Sequence, residues 1–264
     1  MSRLADKVIV LIGGTSGLGL SAARAFVAEG AKVVVVGRDG AKVEAAEQFG
    51  AEVCGMVGDA TDSRTAEAAI ELAIERFGGF TGLYHVAGGS GRSHGDGPLH
   101  ELSDEGWEFT LDLNLTSLVY SNRAAACHFL KQGSRGTILN MGSVLGHSPS
   151  PGYFATHGYA ATKSAVIGLT KSCAAYYAEQ NIRFNVLAPA LVATPMSERA
   201  QENDEIMNFI RTKQPLDGGR IGVPEDLDSA AVFFMSDESK FVTGQVLTVD
   251  GGWSVTEGQL PQSP

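Results

Sequence analysis

The stretch from Val8 to Gly30 constrains this chain more tightly than any other. Val8 to Ile12 is an unbroken apolar run, the pattern of a parallel strand buried on both faces rather than one with a wet side. Gly13-Gly14-Thr15-Ser16-Gly17-Leu18-Gly19 must then turn, and the Ala-rich segment Leu20 to Glu29 forms a helix that Gly30 stops. Strand, glycine turn and helix in that order make a phosphate cradle: glycines let the backbone approach a pyrophosphate, and the helix N–H groups and dipole attract it. The spacing is Gly-x-x-x-Gly-x-Gly, so the assignment rests on the units that follow as much as on the motif.

Those units repeat the pattern. Lys32 to Val36 is a second buried strand, ended by Gly37-Arg38-Asp39. An acid at such a strand end binds the ribose 2′-hydroxyl of NAD, whereas an Arg accepts the 2′-phosphate of NADP. With Gly37 in the first position and Arg38 next, NADP(H) is favoured, and Asp39 keeps NAD(H) as the alternative. Ala41 to Phe49 reads as a helix, Ala51 to Val57 as a strand closed by Asp59, and Thr61-Asp62 as the cap of an amphipathic helix reaching Phe77. Strands follow at Gly82 to Val86, Thr137 to Met141, Ile182 to Leu187 and Gln245 to Val249. Helices over Asp104 to Lys131, from the Tyr159 region to Tyr177, and over Pro224 to Met235 separate them. Such alternation implies right-handed crossovers and a doubly wound, Rossmann-like parallel α/β sheet of about seven strands. One domain covers residues 1–254, and a loose polar tail covers 255–264. Ligands of such sheets bind at the carboxyl ends of the strands.

The residues with useful chemistry fall at that edge. Tyr159 and Lys163, four apart, share one face of a helix. A phenol titrates near pH ~10, and a fixed ammonium beside it lowers that value toward the working range of an acid–base group. Ser143 ends the fifth strand at the same edge, and Asn114 sits between Leu113 and Leu115 in a helical stretch. The formal net charge of −10 argues against a nucleic-acid or anionic-membrane surface. No run approaches the ~18 apolar residues that span a bilayer, and Gly13-Gly14 interrupts the first apolar run before it could serve as a signal, which points to the cytoplasm. Cys54, Cys127 and Cys173 read as reduced core residues, and neither cysteines nor histidines have metal-ligand spacing.

In order along the chain, Gly13-x-x-x-Gly17-x-Gly19, Asp59, Ala87-Gly88, Asn114, Ser143, Tyr159-x-x-x-Lys163, Pro189 with Thr194-Pro195-Met196, and Asp250-Gly251-Gly252 resemble the motifs of the short-chain dehydrogenase/reductase family over nearly all of residues 4–254. The resemblance implies an NAD(P)(H)-dependent oxidoreductase that interconverts a secondary alcohol and a ketone by hydride transfer. It makes Tyr159 the general acid/base. Lys163 lowers its pKa and binds the nicotinamide ribose, Ser143 bonds the carbonyl or alkoxide, and Asn114 holds a water linking Lys163 to solvent. Val192 and Thr194, next to Pro189, would hold the nicotinamide carboxamide, and Asp59 with Ala60 the adenine. Gly13, Thr15, Ser16, Gly17, Leu18, Gly19, Arg38, Ala87 and Gly88 complete the implied cofactor site. A homotetramer packed through the helices around Asn114 and Tyr159 is implied as well.

The chain also departs from the family pattern. Ile12 stands where the family has Thr, His85-Val86 where it has Asn-Asn, and Ala190 where it has Gly. Tyr159 follows Ser143 by 16 residues, a few more than the family shows, so an insertion within Gly146 to His157 is expected beside the substrate and to share in selecting it. Tyr153 is a rival phenol, although His157 rather than Lys stands four residues on. The pocket is expected from loops Gly88 to Pro98, Gly146 to Thr156 and Thr194 to Gln214, which permit a keto-sugar, a 3-oxoacyl group, a steroid or an aromatic diol. Rival functions are a non-catalytic dinucleotide-binding sensor or interaction protein on the same fold, and a nucleotide-sugar epimerase or dehydratase.

Overall fold

The apolar run at the start of the chain becomes the middle of a sheet. In the computed structural model, which describes residues 2–258, the strands are β1 (Val8–Ile12), β2 (Lys32–Gly37), β3 (Val53–Val57), β4 (Gly82–His85), β5 (Gly136–Met141), β6 (Ile182–Pro189) and β7 (Val246–Val249). All their pairings are parallel, in the order β3-β2-β1-β4-β5-β6-β7. Side chains alternate across the sheet, so Ile9 and Leu11 enter one core with Phe26 and Tyr84, and Val10 and Ile12 enter the other with Ile70 and Phe129. Both faces are covered, which is why β1 tolerates no polar position. The strand order reverses between β1 and β4, opening a crevice at their carboxyl ends.

The helices are α1 (Gly17–Ala28), α2 (Gly40–Glu47), α3 (Thr65–Phe77), α4 (Asp104–Leu111), α5 (Ser117–Gln132), α6 (His157–Tyr177), α7 (Glu198–Gln201), α8 (Asp204–Lys213) and α9 (Asp228–Met235). Four sequence expectations change. The helix expected over Asp104 to Lys131 is broken by a wide π turn at Asp112–Thr116 that contains Asn114; such turns gather at functional sites. Thr61-Asp62 does not cap α3. Asp59 takes both the N–H and the hydroxyl of Thr61, Asp62 holds Arg64, and the helix starts at Thr65, whose hydroxyl donates to the Asp59 carbonyl.

Cys127 lies exposed on α5 rather than in a core. The expected loose tail is partly pinned: the Thr256 hydroxyl donates to the Lys213 carbonyl at 3.0 Å, and Gly258 is buried against α8. The rest of that tail, residues 259–264, lies outside the described residues. Among the described residues no helix is long and apolar enough to cross a membrane.

Candidate active site

A cleft of about 840 Å³ follows the carboxyl ends of the strands, a size typical of small-molecule sites. One end is made of backbone. Gly13 has φ +88°, and a Cβ on it would stand 2.6 Å from the Ala87 nitrogen, so β1 and β4 approach there more closely than a side chain permits. α1 opens at Gly17 (φ +49°) with no side-chain cap from Ser16 and no acid in its first turn. Its first N–H groups and the positive end of its dipole are left for an anion. The Thr194 side chain lies over Gly17, 3.4 Å from where a Cβ would be. This cradle fits the pyrophosphate of a dinucleotide.

At the end of β2, Gly37 is required because a Cβ there would overlap the Thr15 hydroxyl. A ribose-binding carboxylate therefore has no room at that position. Asp39 is already engaged, accepting the N–H groups of Ala41 and Lys42 at 3.0 and 3.3 Å as the cap of α2. Arg38 and Lys42 border a second recess here with Thr15, Ser16 and Asp39. Asp59 also lines the cleft, and the N–H of Thr61 leads the interactions that hold its carboxyl below the usual value.

The other end is made of side chains. Tyr159, Lys163 and Ser143 all line the cleft. Lys163 Nζ donates to the Met141 carbonyl at 2.9 Å and stands 5.4 Å from the centre of the Tyr159 ring. Ser143 Oγ accepts the N–H of Leu145 at 3.2 Å. The ammonium was expected to lower the phenol's pKa. Burial sets both groups instead, pushing the phenol up to about 12, against the opposing effect of Ser143, and the ammonium down to about 8.

Most expected residues meet in this cleft: Gly13, Thr15, Ser16, Gly17, Leu18, Arg38, Asp59, Ala60, Ala87, Gly88, Pro189, Val192 and Thr194 line it with the three above. Gly19 and Asn114 stand behind its wall. Gly19 is a packing position, since a Cβ would overlap the Gly13 carbonyl where α1 folds against the turn. Asn114 is fully buried, exchanging hydrogen bonds of 3.0 and 2.9 Å with the backbone of Gly89 and donating to the Thr110 carbonyl. It braces the β4 loop, and its Oδ1 would stand 2.8 Å from a Cβ on Gly88.

The departures from the family pattern resolve locally. His85 is a buried, neutral core residue held by Ser121 at 2.8 Å, and burial drives its pKa down to about 3. Tyr153 is not among the cleft-lining residues; its hydroxyl reaches Glu205 at 3.5 Å and its ring packs on Phe209. Phe154 and Thr156 bring the extended Gly146 to His157 segment into the cleft wall.

Three further residues of the site carry no signal in the sequence. The carboxylate of Asp96, 3 % exposed, takes the N–H of Gly158 at 2.9 Å and of Tyr159 at 2.8 Å, capping α6 at the turn that carries Tyr159. Thr156, the local cap position, makes no such bond, and nothing in the order of residues ties Asp96 to a helix beginning 61 positions later. Arg92 and Arg199 also line the cleft, and each looks like an ordinary loop or helix cation in the sequence.

Residues 13–254 match the family model described as Enoyl-(Acyl carrier protein) reductase. The chain is 35% identical over 258 residues to 2,5-dichloro-2,5-cyclohexadiene-1,4-diol dehydrogenase LinX of Sphingobium indicum, covering 96% of this chain and 98% of that protein. Its fold superposes with a TM-score of 0.87 and 30% identity on a short-chain type dehydrogenase/reductase from Mycobacterium ulcerans, covering 97% and 92% of the two chains. A 3-ketoacyl-(acyl-carrier-protein) reductase from Brucella melitensis complexed with NADH gives a TM-score of 0.83 at 29% identity, covering 96% and 100%. With the parallel sheet, the glycine cradle and the Ser-Tyr-Lys cleft in place, this chain belongs to the short-chain dehydrogenase/reductase family of NAD(P)-dependent oxidoreductases acting on alcohols and ketones.

Proposed function

We propose that this oxidoreductase interconverts a secondary alcohol and a ketone with NADP(H) as its preferred cofactor and Tyr159 as general acid/base. The carrying observation is a phenol and a buried ammonium one helical turn apart, in the same cleft as an uncapped helix start. The glycine turn, Arg38, Asp59, Val192 and Thr194 would hold the dinucleotide, which supplies the hydride acceptor or donor. Ser143 orients the substrate oxygen, and Tyr159 gives or takes its proton. With its pKa raised, the phenol is protonated throughout the neutral range, which is the form that ketone reduction uses. Alcohol oxidation, which needs the proton removed, gains as pH rises.

The cofactor preference rests on Arg38 and on the room that Thr15 denies a carboxylate at position 37. Titration of the protein with NADP⁺ and NAD⁺ tests it. NADP⁺ should bind at least tenfold tighter, a difference of about 1.4 kcal/mol, and Arg38→Leu should erase the gap. Tighter binding of NAD⁺ would reverse the assignment. Substrate selection falls to the apolar wall of Phe109, Leu113, Leu145 and Phe154, which suits a ring, as in the diol dehydrogenase relative's name, or an acyl chain, as in the ketoacyl reductase's. Assembly as a homotetramer is supported by Tyr176, 75% exposed near the end of α6; a monomeric mass by light scattering would overturn it.

A further inference from the structure

Two cations share the cleft wall, and neither is ion-paired among the described residues. Arg92, in the loop after β4, and Arg199, on α7, are exposed residues that line the same cleft as Ser143 and Tyr159. Arg92 Nη2 donates to the Tyr153 carbonyl at 3.4 Å and Arg199 Nη2 to the same oxygen at 3.2 Å. Two like charges thus end on one neutral acceptor. Among the described residues neither forms an ion pair within 4.0 Å, and neither do most of the chain's arginines, of which Arg3, Arg64 and Arg220 do; what sets Arg92 and Arg199 apart is that they meet on one acceptor in the cleft. Asp96 carries one negative charge against two positive ones, and its attraction for Arg92 is weaker than the repulsion from Arg199. Partial desolvation at the cleft wall, and then the repulsion of Arg199, hold the Arg92 guanidinium below its ordinary pKa, with Asp96 opposing.

This arrangement is more than a loop clasp requires. A carbonyl needs one donor, which a neutral amide could supply, and setting two guanidiniums together costs Coulomb repulsion. Each guanidinium carries five N–H donors and uses one here on the Tyr153 carbonyl. Two forks of this kind match the oxygens of an oxyanion. The acceptor that joins them belongs to the extended segment between Ser143 and Tyr159, whose next residue, Phe154, lines the cleft.

We infer that Arg92 and Arg199 form a subsite for an oxyanion, a carboxylate, sulfonate or phosphate, carried by the non-reacting part of the substrate. The inference rests on the oxidoreductase reading above. The substrate is then a secondary alcohol, or its ketone, joined through an apolar segment to an anionic group. Phe154 and Met196, on the same wall, would cover the segment.

The test has a binding arm and a turnover arm, each run on the native protein and on Arg92→Gln and Arg199→Gln. These variants keep a donor for the Tyr153 carbonyl and remove the charge. In the first arm, calorimetry on NADP⁺-loaded protein measures butanoate, butane-1-sulfonate and butyl phosphate against butan-1-ol. At least one anion should bind tenfold or more tighter than the alcohol, weaken as salt is raised, and lose tenfold in either variant; the tightest of the three identifies the group. In the second, kcat/KM for 4-hydroxypentanoate is divided by that for its methyl ester. The ratio should exceed ten in the native enzyme and fall at least tenfold in each variant, chiefly through KM.

Equal binding of butan-1-ol and the anions, or a ratio that the variants leave unchanged because both substrates lose alike, would overturn the subsite and reduce the arginines to a clasp. Turnover of the ester with a ratio near one overturns the subsite and leaves the oxidoreductase reading standing. Arginine-dependent anion binding with no turnover of any secondary alcohol overturns that reading and leaves the subsite standing.

Discussion

At the β1–α1 end of the cleft the surface offered to a ligand is main chain: Gly13, Gly17 and the uncapped first turn of α1, with Gly37 making room for Thr15. At the α6 end it is side chains from segments far apart in sequence, Ser143, Tyr159, Lys163, Arg92 and Arg199, with Asp96 buried behind them as the cap of α6. The first end is specified where it stands, because a glycine's conformation and its lack of a Cβ are local properties. The second exists only once two loops and two helices have been brought together. A backbone cradle should therefore fail by strain and overlap when a side chain is added. The side-chain end should tolerate change in its loops and fail through the loss of single groups.

Lys163→Met should produce the largest effect and would break the comparison if it did not. Turnover should fall by about 10³-fold, within the range of a lost acid–base partner. The same change should stabilise the fold, because a buried ammonium with one backbone acceptor is replaced by a thioether of similar length. With a folded pKa of about 8 against an ordinary 10.5, the cost of holding the ammonium is complete below pH 8. Between pH 8 and 10.5 the unfolded chain binds more protons than the folded one, so native stability rises. The variant lacks that rise. Its advantage, about 2 kcal/mol or several degrees in Tm at pH 7, should shrink as the pH passes through that window, and calorimetry across pH 6–10.5 reads it.

Gly13→Ala and Gly152→Ala sharpen the contrast between the two ends. Both glycines have positive φ, +88° and +71°, but only Gly13 has a backbone atom in the way; around Gly152, in the extended segment before α6, nothing lies within 4 Å. Denaturant titration should give a loss of about 3 kcal/mol for Gly13→Ala, from strain and overlap together, and about 1 kcal/mol for Gly152→Ala, from strain alone. Equal losses would remove the distinction drawn here. Asp96→Ala should cost about 2 kcal/mol, for two charge-assisted bonds to the start of α6, and should lower kcat with little change in NADP⁺ affinity. Asp96→Asn, which keeps one acceptor oxygen, should recover part of both.

How much of this was legible in the sequence follows the same division. The unbroken Val8–Ile12 run, the glycine spacing and the strand–helix alternation give the sheet, its order of elements and the cradle, because periodicity and glycine report local geometry. Tyr159, Lys163 and Ser143 are legible through spacing and position at a strand end. Asn114 is found by motif, yet its bonds to Gly89 and Thr110 are invisible without the π turn that aims it. Asp96 is hidden because capping rules look at the residue just before a helix, and this cap comes from another loop. The direction in which Tyr159 titrates is hidden as well. The ammonium's proximity is readable from four-residue spacing, but the burial that outweighs it depends on every element that closes the cleft.

If the backbone end holds the cofactor while the Tyr159 phenol at the other end moves the proton, one substitution parts the two tasks. Tyr159→Phe removes one hydroxyl and keeps the ring that lines the cleft, so it separates these tasks. Calorimetric titration with NADP⁺ and steady-state reduction of a ketone substrate, performed on the same preparation, should show affinity within about threefold of the native protein and turnover lowered by about 10³-fold or more. Turnover within tenfold of native, with NADP⁺ binding intact, would contradict that division.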